Sequence, residues 1–520
     1  MCYNEKRCLL CKGSGVNVVV KLKNILLLLA KFSCLVLYTL FFISTVVSDN
    51  FIVNSLRRRY IIVVIVSVIC VVLYIAFRYY SSSFIKKIRS IFQIKLIKYS
   101  LAVLLISLQI IIALKLKAPT GFDPGGIMNQ ATYTSLSSSG QSYLSRYPNN
   151  LLLFFLERLI FVLAGRPSAI NFLAVLIILN IVVLDLTIII NYLILNIFNP
   201  KKIQILIFGF LSITFFVFTP WIIVFYSDTL VLLPNSILCY LLLTYFRYSN
   251  TKWYLLRGLE IGITLWFAYH LKPTSVIILL AGVIVLILSK SIRKTKIVIL
   301  LLSSLILATS FIVLQQGFTQ FTNQQKIVHL DCNARFTAAH FMMMGLQKTG
   351  RYSRTDVINS INQPTVSKRT AYNKKIIFQR LKAFGVKGYI KFLIKKNYYN
   401  TGDGTLGWGK EGNFLIDYYP TQHRFIKSFF YPNAQRQIYY RVFCQVIWVF
   451  VSFGILLTIS ISDPRILMLQ LAFAGLLLFL LLFEGGRSRY LIQFLPIILM
   501  LASIGYARLA DWLKHRLCSS

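Results

Sequence analysis

The sequence predicts an all-α polytopic membrane protein with about twelve transmembrane helices, interfacial helices at the outer face, and one mostly helical extracytoplasmic domain. Its residues are 57% hydrophobic and its mean hydropathy is +0.70. Soluble domains are roughly 45–50% apolar, so this excess indicates a lipid environment. Apolar runs of about 20 residues, which can cross a bilayer as helices, recur along most of the chain.

The predicted spans are the apolar runs that are long enough, or nearly so, to cross the bilayer. They are residues 24–47, 60–77, 97–114, 170–197, 203–225, 230–246, 254–270, 274–289, 297–314, 438–461, 466–483 and 490–509. The runs 254–270 and 274–289 are short, and we expect a helical pair that bends at Lys272-Pro273.

The loops between the spans predict the orientation in the cell membrane, because cytoplasmic loops are enriched in Lys and Arg. The basic loops are 78–98, 201–202, 247–257 and 290–296. Placing them inside makes both termini cytoplasmic and puts Asp123 on the outer side. The arginines at 57–59 would then lie outside, but the other loops outweigh them.

The chain divides into four parts in this topology. They are an N-terminal cytoplasmic segment with two spans (1–96), a transmembrane core (97–314) with a first outer loop (115–168), an extracytoplasmic domain (315–437), and C-terminal spans with a short cytoplasmic tail (438–520). Residues 149–164 predict a short interfacial helix. The basic amphipathic stretch 374–396 is either a helix packed on its own domain or one lying on anionic headgroups, and we favour the second.

The net charge of the chain limits which classes of binding partner are plausible. The formal net charge is +41, from 56 Lys and Arg against 15 Asp and Glu. These basic residues are scattered between apolar spans and do not cluster on a polar domain, which argues against nucleic acid. Two explanations fit the excess of basic residues. One is the enrichment of Lys and Arg in cytoplasmic loops, and the other is attraction to anionic lipid or to a phosphate-bearing substrate.

Asp123 is the most informative acid, because it follows an apolar span in the turn Gly121-Phe122-Asp123-Pro124-Gly125-Gly126. An acid held next to the hydrocarbon is costly and is a functional candidate by default. It could act as a general base toward an acceptor hydroxyl or hold a divalent metal. It could equally cap the following helix, a common role for Asp.

Other motifs fall on the same predicted side. Tyr147-Pro148-Asn149-Asn150 is typical of a helix start, with Pro in the first turn and Asn near the cap, although the amides could contact sugar hydroxyls. Asp228 could cap the next helix or orient a substrate. Lys272 could snorkel or meet a phosphate.

A late motif carries two arginines. Arg487 and Arg489 lie among glycines in Glu484-Gly485-Gly486-Arg487-Ser488-Arg489, and Arg matches phosphate oxygens bidentately.

The long outer segment adds further candidates. His340 lies in an apolar stretch, where a core histidine is commoner than a ligand. Trp408 among glycines could stack on a sugar face, although a packed tryptophan is commoner. Asp403 and Glu411 are additional acids that could serve in acid/base or metal roles, with Glu411 also a candidate substrate contact.

Four motifs follow one another along the chain, namely the first-loop Asp123, Tyr226-Ser227-Asp228-Thr229, Lys272-Pro273-Thr274, and Arg487-Ser488-Arg489-Tyr490 before a helix with Pro496. In this order they resemble the motifs of the GT-C class of integral-membrane glycosyltransferases, which use polyprenyl-phosphate sugars. The segments 340–346 and 403–412 are similar to the protein-mannosyltransferase-like branch (glycosyltransferase family 39-like) and its Gram-positive bacterial members. The resemblance covers about 97–509 and leaves out the first two spans.

The resemblance implies an inverting transfer with Asp123 as the base. Many members have a second acid near the first-loop Asp, whereas this chain has Pro124, which leaves Asp123 alone and puts a paired-carboxylate metal site in doubt. The implied donor is a polyprenyl-phosphate sugar, the leaving phosphate meets Arg487, Arg489 and Lys272, and the acceptor is a cell-surface glycan or teichoic-acid-type polymer. No cofactor is required by this scheme, and a divalent metal stays an open alternative.

Three other functions compete with a transferase. A flippase for lipid-linked sugars would distribute charges along a central cavity, often with inverted repeats. A polysaccharide polymerase or ligase would also have a large outer loop and arginines. A membrane scaffold would not need so many polar residues at the outer surface. We rank the transferase first, then the polymerase or ligase, then the transporter.

Overall fold

The computed structural model describes residues 5–51, 95–133, 136–245, 250–288, 294–347, 349–408, 410, 415–416, 424–432, 434–483 and 485–519. This part of the chain is all-helical, which confirms the predicted class. Its only β contact is an isolated bridge between Thr120 and Leu415. The predicted span 60–77 and the arginines at 57–59 lie outside these residues.

The helices of these residues are numbered in chain order. They are α1 (Glu5–Val46), α2 (Lys95–Leu116), α3 (Phe122–Thr132), α4 (Ser138–Arg146), α5 (Leu151–Leu163), α6 (Ala169–Ile197), α7 (Lys202–Ser212), α8 (Ser227–Leu230), α9 (Leu232–Thr244), α10 (Thr251–Leu271), α11 (Val276–Leu288), α12 (Lys294–Gln324), α13 (Ala338–Gly345), α14 (Arg354–Ile361), α15 (Val366–Thr401), α16 (Arg424–Phe430), α17 (Gln437–Leu456), α18 (Pro464–Leu482) and α19 (Leu495–Ser519). Short 3₁₀ helices join several of them, at Asp49–Phe51, Pro148–Asn150, Pro220–Ile223, Pro273–Ser275, Cys332–Ala334 and Ser488–Phe494.

Eight helices of the described ranges are long and apolar enough to cross a membrane. They are Lys21–Phe51, Tyr99–Leu116, Ala169–Ile197, Ser227–Thr244, Ile297–Gln324, Gln437–Leu456, Pro464–Leu482 and Ser488–Arg516. The predicted pair 254–270 and 274–289 appears as α10 and α11, with the bend at Lys272-Pro273. Two shorter apolar helices, Lys202–Val217 and Pro273–Leu288, accompany the eight.

The described residues of the two long connections, within 117–168 and 325–436, pack on each other at one end of the helix bundle, which we call the loop end. The amide of Phe336 donates to the carbonyl of Arg146 at 3.1 Å, and the amide of Ile416 donates to the carbonyl of Pro119 at 3.0 Å. The first connection contains α5, which confirms a helix over most of 149–164, where an interfacial helix was predicted. Candidate site residues from both connections therefore share one end of the molecule.

The prediction of one continuous helix over 203–225 was wrong at the C-terminal end of this range. The helix α7 passes into a π-helical turn at Ile213–Val217 and stops, because Pro220 cannot donate a helical hydrogen bond. Non-helical backbone near a membrane must find other partners. Asn180 of α6 supplies one, since its Nδ2 donates to the carbonyl oxygen of Ile222 at 2.8 Å. This break directs the chain into the polar segment that starts α8.

Asp403 anchors the loop after α15 and is structural in this fold. Its Oδ1 accepts from Asn50 Nδ2 at 2.7 Å and from Thr405 Oγ1 at 2.8 Å, and its Oδ2 accepts from the Gly407 amide at 3.1 Å. These bonds hold Leu406 at φ +54°, an unusual conformation for a branched residue. Asp403 thus ties the end of α1 to the loop, which is why we do not retain it as an acid/base candidate.

Replacing Asp403 with Ala is expected to destabilise the protein by about 3 kcal/mol, because several buried donors lose their acceptor together. The measurement is reversible unfolding in mixed micelles. The matched control is Asp331→Ala, which removes an exposed carboxylate that accepts from the Asn333 amide and is expected to cost about 1 kcal/mol or less. Equal losses in the two variants would contradict the anchoring role of Asp403.

Candidate active site

Asp123 lies in the first turn of α3 with its carboxylate partly exposed. The N-cap position belongs to Gly121, and no side chain caps this helix, so capping does not explain Asp123. The preceding Phe122 has φ +53°, a strained conformation of the kind that gathers at functional sites. A Cβ at Gly125 would lie 1.7 Å from the carbonyl oxygen of Thr120, so only glycine permits this tight turn.

Two phenols lie beside the Asp123 carboxylate. The hydroxyl of Tyr226 donates to Asp123 Oδ2 at 3.2 Å, and Tyr143 lies close enough for the charge of Asp123 to affect it. Asn150 fixes Tyr143 in turn, since its Nδ2 donates to the phenol oxygen at 2.7 Å. Burial, followed by the negative charge of Asp123, raises the pKa of both phenols well above the ordinary value. Both therefore remain protonated donors, and Asp123 is oriented while part of it stays accessible.

A buried charge cluster lies on the other side of Tyr226. Asp228, whose side chain is almost fully buried, lies 2.7 Å from Lys272 Nζ and 3.3 Å from Arg489 Nε. These contacts are close ion pairs, without the alignment of good hydrogen bonds. Among the ion pairs of the described residues, two cations face one carboxylate. Two cations held close together suit an anion with several oxygens, such as a phosphate.

Aromatic rings surround the two cations. Lys272 Nζ lies 5.3 Å from the ring centre of Tyr226 and 5.7 Å from that of Tyr490. The guanidinium carbon of Arg489 lies 5.7 Å and 5.8 Å from the same two rings. Cation–π attraction therefore adds to the ion pairs. Tyr226 belongs to both halves of the site, because its hydroxyl contacts Asp123 while its ring faces the cations.

The segment that carries Arg489 is held from two directions. Lys396 of α15 is fully buried, and its Nζ donates to the carbonyl oxygens of Gly345 at 2.8 Å and Phe483 at 2.7 Å. At the other end, Gln493 Nε2 donates to the carbonyl oxygen of Tyr490 at 2.8 Å, and Thr274 hydrogen bonds to Gln493. The turn before the last helix is thus a rigid support for the arginines.

The structure brings four of the predicted site residues together, namely Asp123, Asp228, Lys272 and Arg489. Arg487 lies two residues before Arg489 and is partly exposed. Asp228 positions the two cations. This role accounts for an acid at position 228 without the predicted contact with substrate. Its predicted capping role is also unnecessary, because Tyr226 occupies the N-cap of α8.

Tyr147 and Asn149 lie beside the site. The Tyr147 ring packs 5.1 Å from that of Tyr143 and 5.3 Å from that of Phe336, so it supports a phenol that lies beside Asp123. Asn149 is exposed, and its Nδ2 donates to Asn150 Oδ1 at 3.4 Å.

His340 and Trp408 are packed in the interior. His340 stacks on Phe336 at 3.9 Å and hydrogen bonds through Nδ1 to Ser360 at 2.9 Å. Burial lowers the pKa of His340 to about 4, so the ring is neutral. Trp408 is 2% exposed and donates from Nε1 to the carbonyl oxygen of Phe430 at 2.6 Å. Its ring therefore has no free face for a sugar, and we carry neither residue into the proposed site.

Glu411 lies outside the described residues. Among the residues that the structure describes, no group of three His, Cys, Asp or Glu side chains is placed to hold a metal ion.

Sequence reasoning missed the neighbours of Asp123. Tyr226 stands beside Asp228 in a quoted motif, but nothing in its spacing points back to residue 123. Tyr143 and Asn150 carry no signal at all, because their roles arise from the packing of α4 against α3.

Asp228→Asn is expected to reduce the free energy of unfolding by about 3–5 kcal/mol, because two buried cations lose their counter-charge. The measurement is again reversible unfolding in mixed micelles.

The control is the double variant Asp228→Asn with Lys272→Gln, which removes one uncompensated cation. We expect it to be more stable than the single variant by about 1 kcal/mol or more. A single variant with wild-type stability would contradict a buried ion-pair cluster.

Comparisons with known proteins agree with the membrane fold. A family model described as "conserved hypothetical integral membrane protein" matches residues 20–509. No curated protein and no solved structure matches the chain. Because the family model covers nearly the whole chain, the protein belongs to this family of conserved hypothetical integral membrane proteins.

Proposed function

We propose that the protein is a membrane glycosyltransferase that moves a sugar from a polyprenyl-phosphate donor to a cell-surface glycan or a similar acceptor. The observation that carries the proposal is the shared residue Tyr226, which joins an accessible carboxylate to the cation pair Lys272 and Arg489. Displacement at a sugar phosphate needs both a base for the incoming hydroxyl and cations for the departing phosphate.

Asp123 is the proposed general base. In this scheme it accepts the proton of the acceptor hydroxyl while that oxygen forms a bond to the anomeric carbon of the sugar. The Tyr226 hydroxyl orients the carboxylate, with Tyr143 beside it, and general-base catalysis requires such an orientation. A single displacement inverts the anomeric configuration.

Lys272 and Arg489 are the proposed partners of the leaving group, with Arg487 beside them. The bond from the anomeric carbon to the phosphate oxygen breaks, and the phosphate keeps the electron pair. Preorganised cations that meet developing charge are worth roughly 10²–10³ in rate for each donor. Asp228 prepares these cations for the anion and does not itself contact the donor.

The position of the site supports a lipid-linked donor. Asp228 and Arg489 each lie in the first turn of a candidate membrane span, and Asp123 follows the end of another. A donor whose polyprenyl chain lies in the bilayer would present its phosphate at this level. A soluble nucleotide sugar would gain nothing from such a site.

The full topology that goes with the proposal has about twelve spans. To the eight helices of spanning length it adds the shorter Lys202–Val217 and Pro273–Leu288, then α10, and the predicted span 60–77. Both termini are cytoplasmic, and the site faces outward from the cell membrane. The extracytoplasmic domain, predicted at 315–437, begins in this topology after α12 ends at Gln324. The resemblance to the GT-C class, in its protein-mannosyltransferase-like, Gram-positive branch, supports this arrangement and a teichoic-acid-type acceptor.

Asp123→Asn is expected to abolish transfer, because the amide keeps the size of the side chain and loses the basic oxygen. Surface glycans of cells that carry the wild-type or the variant protein at matched expression are compared by mass spectrometry. The expected result is the loss of one sugar from a surface polymer, with a polyprenyl-phosphate sugar accumulating.

The control for this comparison is Asp331→Asn, which changes an exposed acid of the second long connection. Its glycans should match those of the wild type. Unchanged glycans with Asp123→Asn would overturn the role of Asp123 and favour a transporter or a scaffold.

Tyr226→Phe is expected to lower the transfer rate about tenfold, because the carboxylate loses one orienting donor while the ring beside the cations remains. The rate is measured in proteoliposomes with a polyprenyl-phosphate sugar, and unfolding in mixed micelles should be nearly unchanged. A wild-type rate would show that the Tyr226 hydroxyl does not support the base.

A further inference from the structure

The C-terminal half of α15 presents an apolar strip to the surroundings. Val386, Ile390 and Ile394 are 82%, 54% and 53% exposed. They are four residues apart, so they lie one above another on a single face of the helix. A row of large exposed aliphatic side chains is typical of an interaction surface.

A row of lysines runs beside this strip. Lys387, Lys391 and Lys395 each follow one of the apolar residues and are all exposed. The sequence of α15 contains no Asp or Glu. Over the described ranges of the chain, none of the ion pairs involves these three lysines. The charge on this face is therefore not neutralised by the described part of the molecule.

The C-terminal end of α15, directly after this strip, is fixed to two spanning helices. Asn397 Nδ2 donates to the carbonyl oxygen of Leu40 at 3.1 Å and to Ser44 Oγ at 3.0 Å, both in the C-terminal half of the candidate span Lys21–Phe51. Lys396 reaches the carbonyl oxygen of Phe483, one residue past the end of Pro464–Leu482. The segment is thus held beside the C-terminal half of one span and at the level where a second span ends.

Gly385 separates this segment from the rest of α15. Its φ of 57° and ψ of 179° break the helix, so residues 386–395 take their own direction. Phe384, Tyr389 and Phe392 pack together across the break, with the rings of Phe384 and Phe392 stacked at 4.8 Å. The direction of the strip is therefore defined by packing.

We propose that residues 386–395 lie on the membrane surface and bind anionic lipid headgroups. The aliphatic side chains enter the boundary between headgroups and acyl chains, and the three lysines meet the lipid phosphates. An anionic lipid surface is the partner that fits, because it offers apolar area and negative charge side by side at the level where a span ends. This inference is independent of the proposed glycosyl transfer.

The test uses the full chain in nanodiscs, with an environment-sensitive fluorescent amino acid at position 390. The nanodiscs contain phosphatidylcholine alone or with about 30% phosphatidylglycerol, and a small share of lipids carries a quencher at a shallow acyl position. We expect at least about twofold stronger quenching in the anionic nanodiscs. The difference should shrink in high salt, since salt screens exposed charges.

Two variants separate the lysine row from general charge effects. Lys387→Gln with Lys391→Gln and Lys395→Gln should abolish the dependence on phosphatidylglycerol. Lys202→Gln with Lys252→Gln and Lys326→Gln removes three other exposed lysines and should leave it intact. Quenching that is absent in both nanodiscs would overturn the proposal and favour an acidic protein or glycan as partner. Equal quenching in both would overturn the recognition of anionic lipid.

Discussion

The buried contact of Asp228 with Lys272 and Arg489 is the constraint on which the site depends. Its members come from the start of α8, the turn after α10 and the 3₁₀ segment before α19. A charge that is buried beside a membrane must be compensated, so these three segments are held to one mutual arrangement. That arrangement sets the position of Tyr226, whose hydroxyl in turn orients Asp123. The pairing of the two cations and the orientation of Asp123 are therefore consequences of one packing arrangement.

Elsewhere at the loop end, buried polar side chains stabilise backbone that has left the helical pattern. Asn180 supports the broken stretch after α7, Asp403 supports the loop after α15, and Lys396 supports the turn before α19. In each case the side chain satisfies backbone groups that would otherwise be costly near hydrocarbon. This framework explains how irregular segments between spans can be rigid enough to hold reactive groups in fixed positions.

Much of this could be read from the sequence, because apolar run length and turn residues are local signals. The all-α class, the bend at Lys272-Pro273 and the α5 helix followed from them. The break after Val217 did not, since it depends on Asn180 from another helix. Asp123, Asp228, Lys272 and Arg489 were each identifiable as acids or bases at the ends of spans. Their neighbours Tyr143 and Asn150 could not be identified, because contacts between distant segments leave no signal in local spacing. For the same reason the sequence left open whether Trp408 packs in the interior or stacks on a sugar.

The central claim is that the Lys272–Arg489 cluster receives the phosphate of a lipid donor. The most direct measurement is the affinity of the purified protein for undecaprenyl phosphate and for undecaprenol, which share a chain and differ only in the anion. The account predicts that the phosphate binds at least about tenfold more tightly, and that Arg489→Gln removes most of the difference. Equal affinity for the two lipids, or a preference that survives Arg489→Gln, would contradict it.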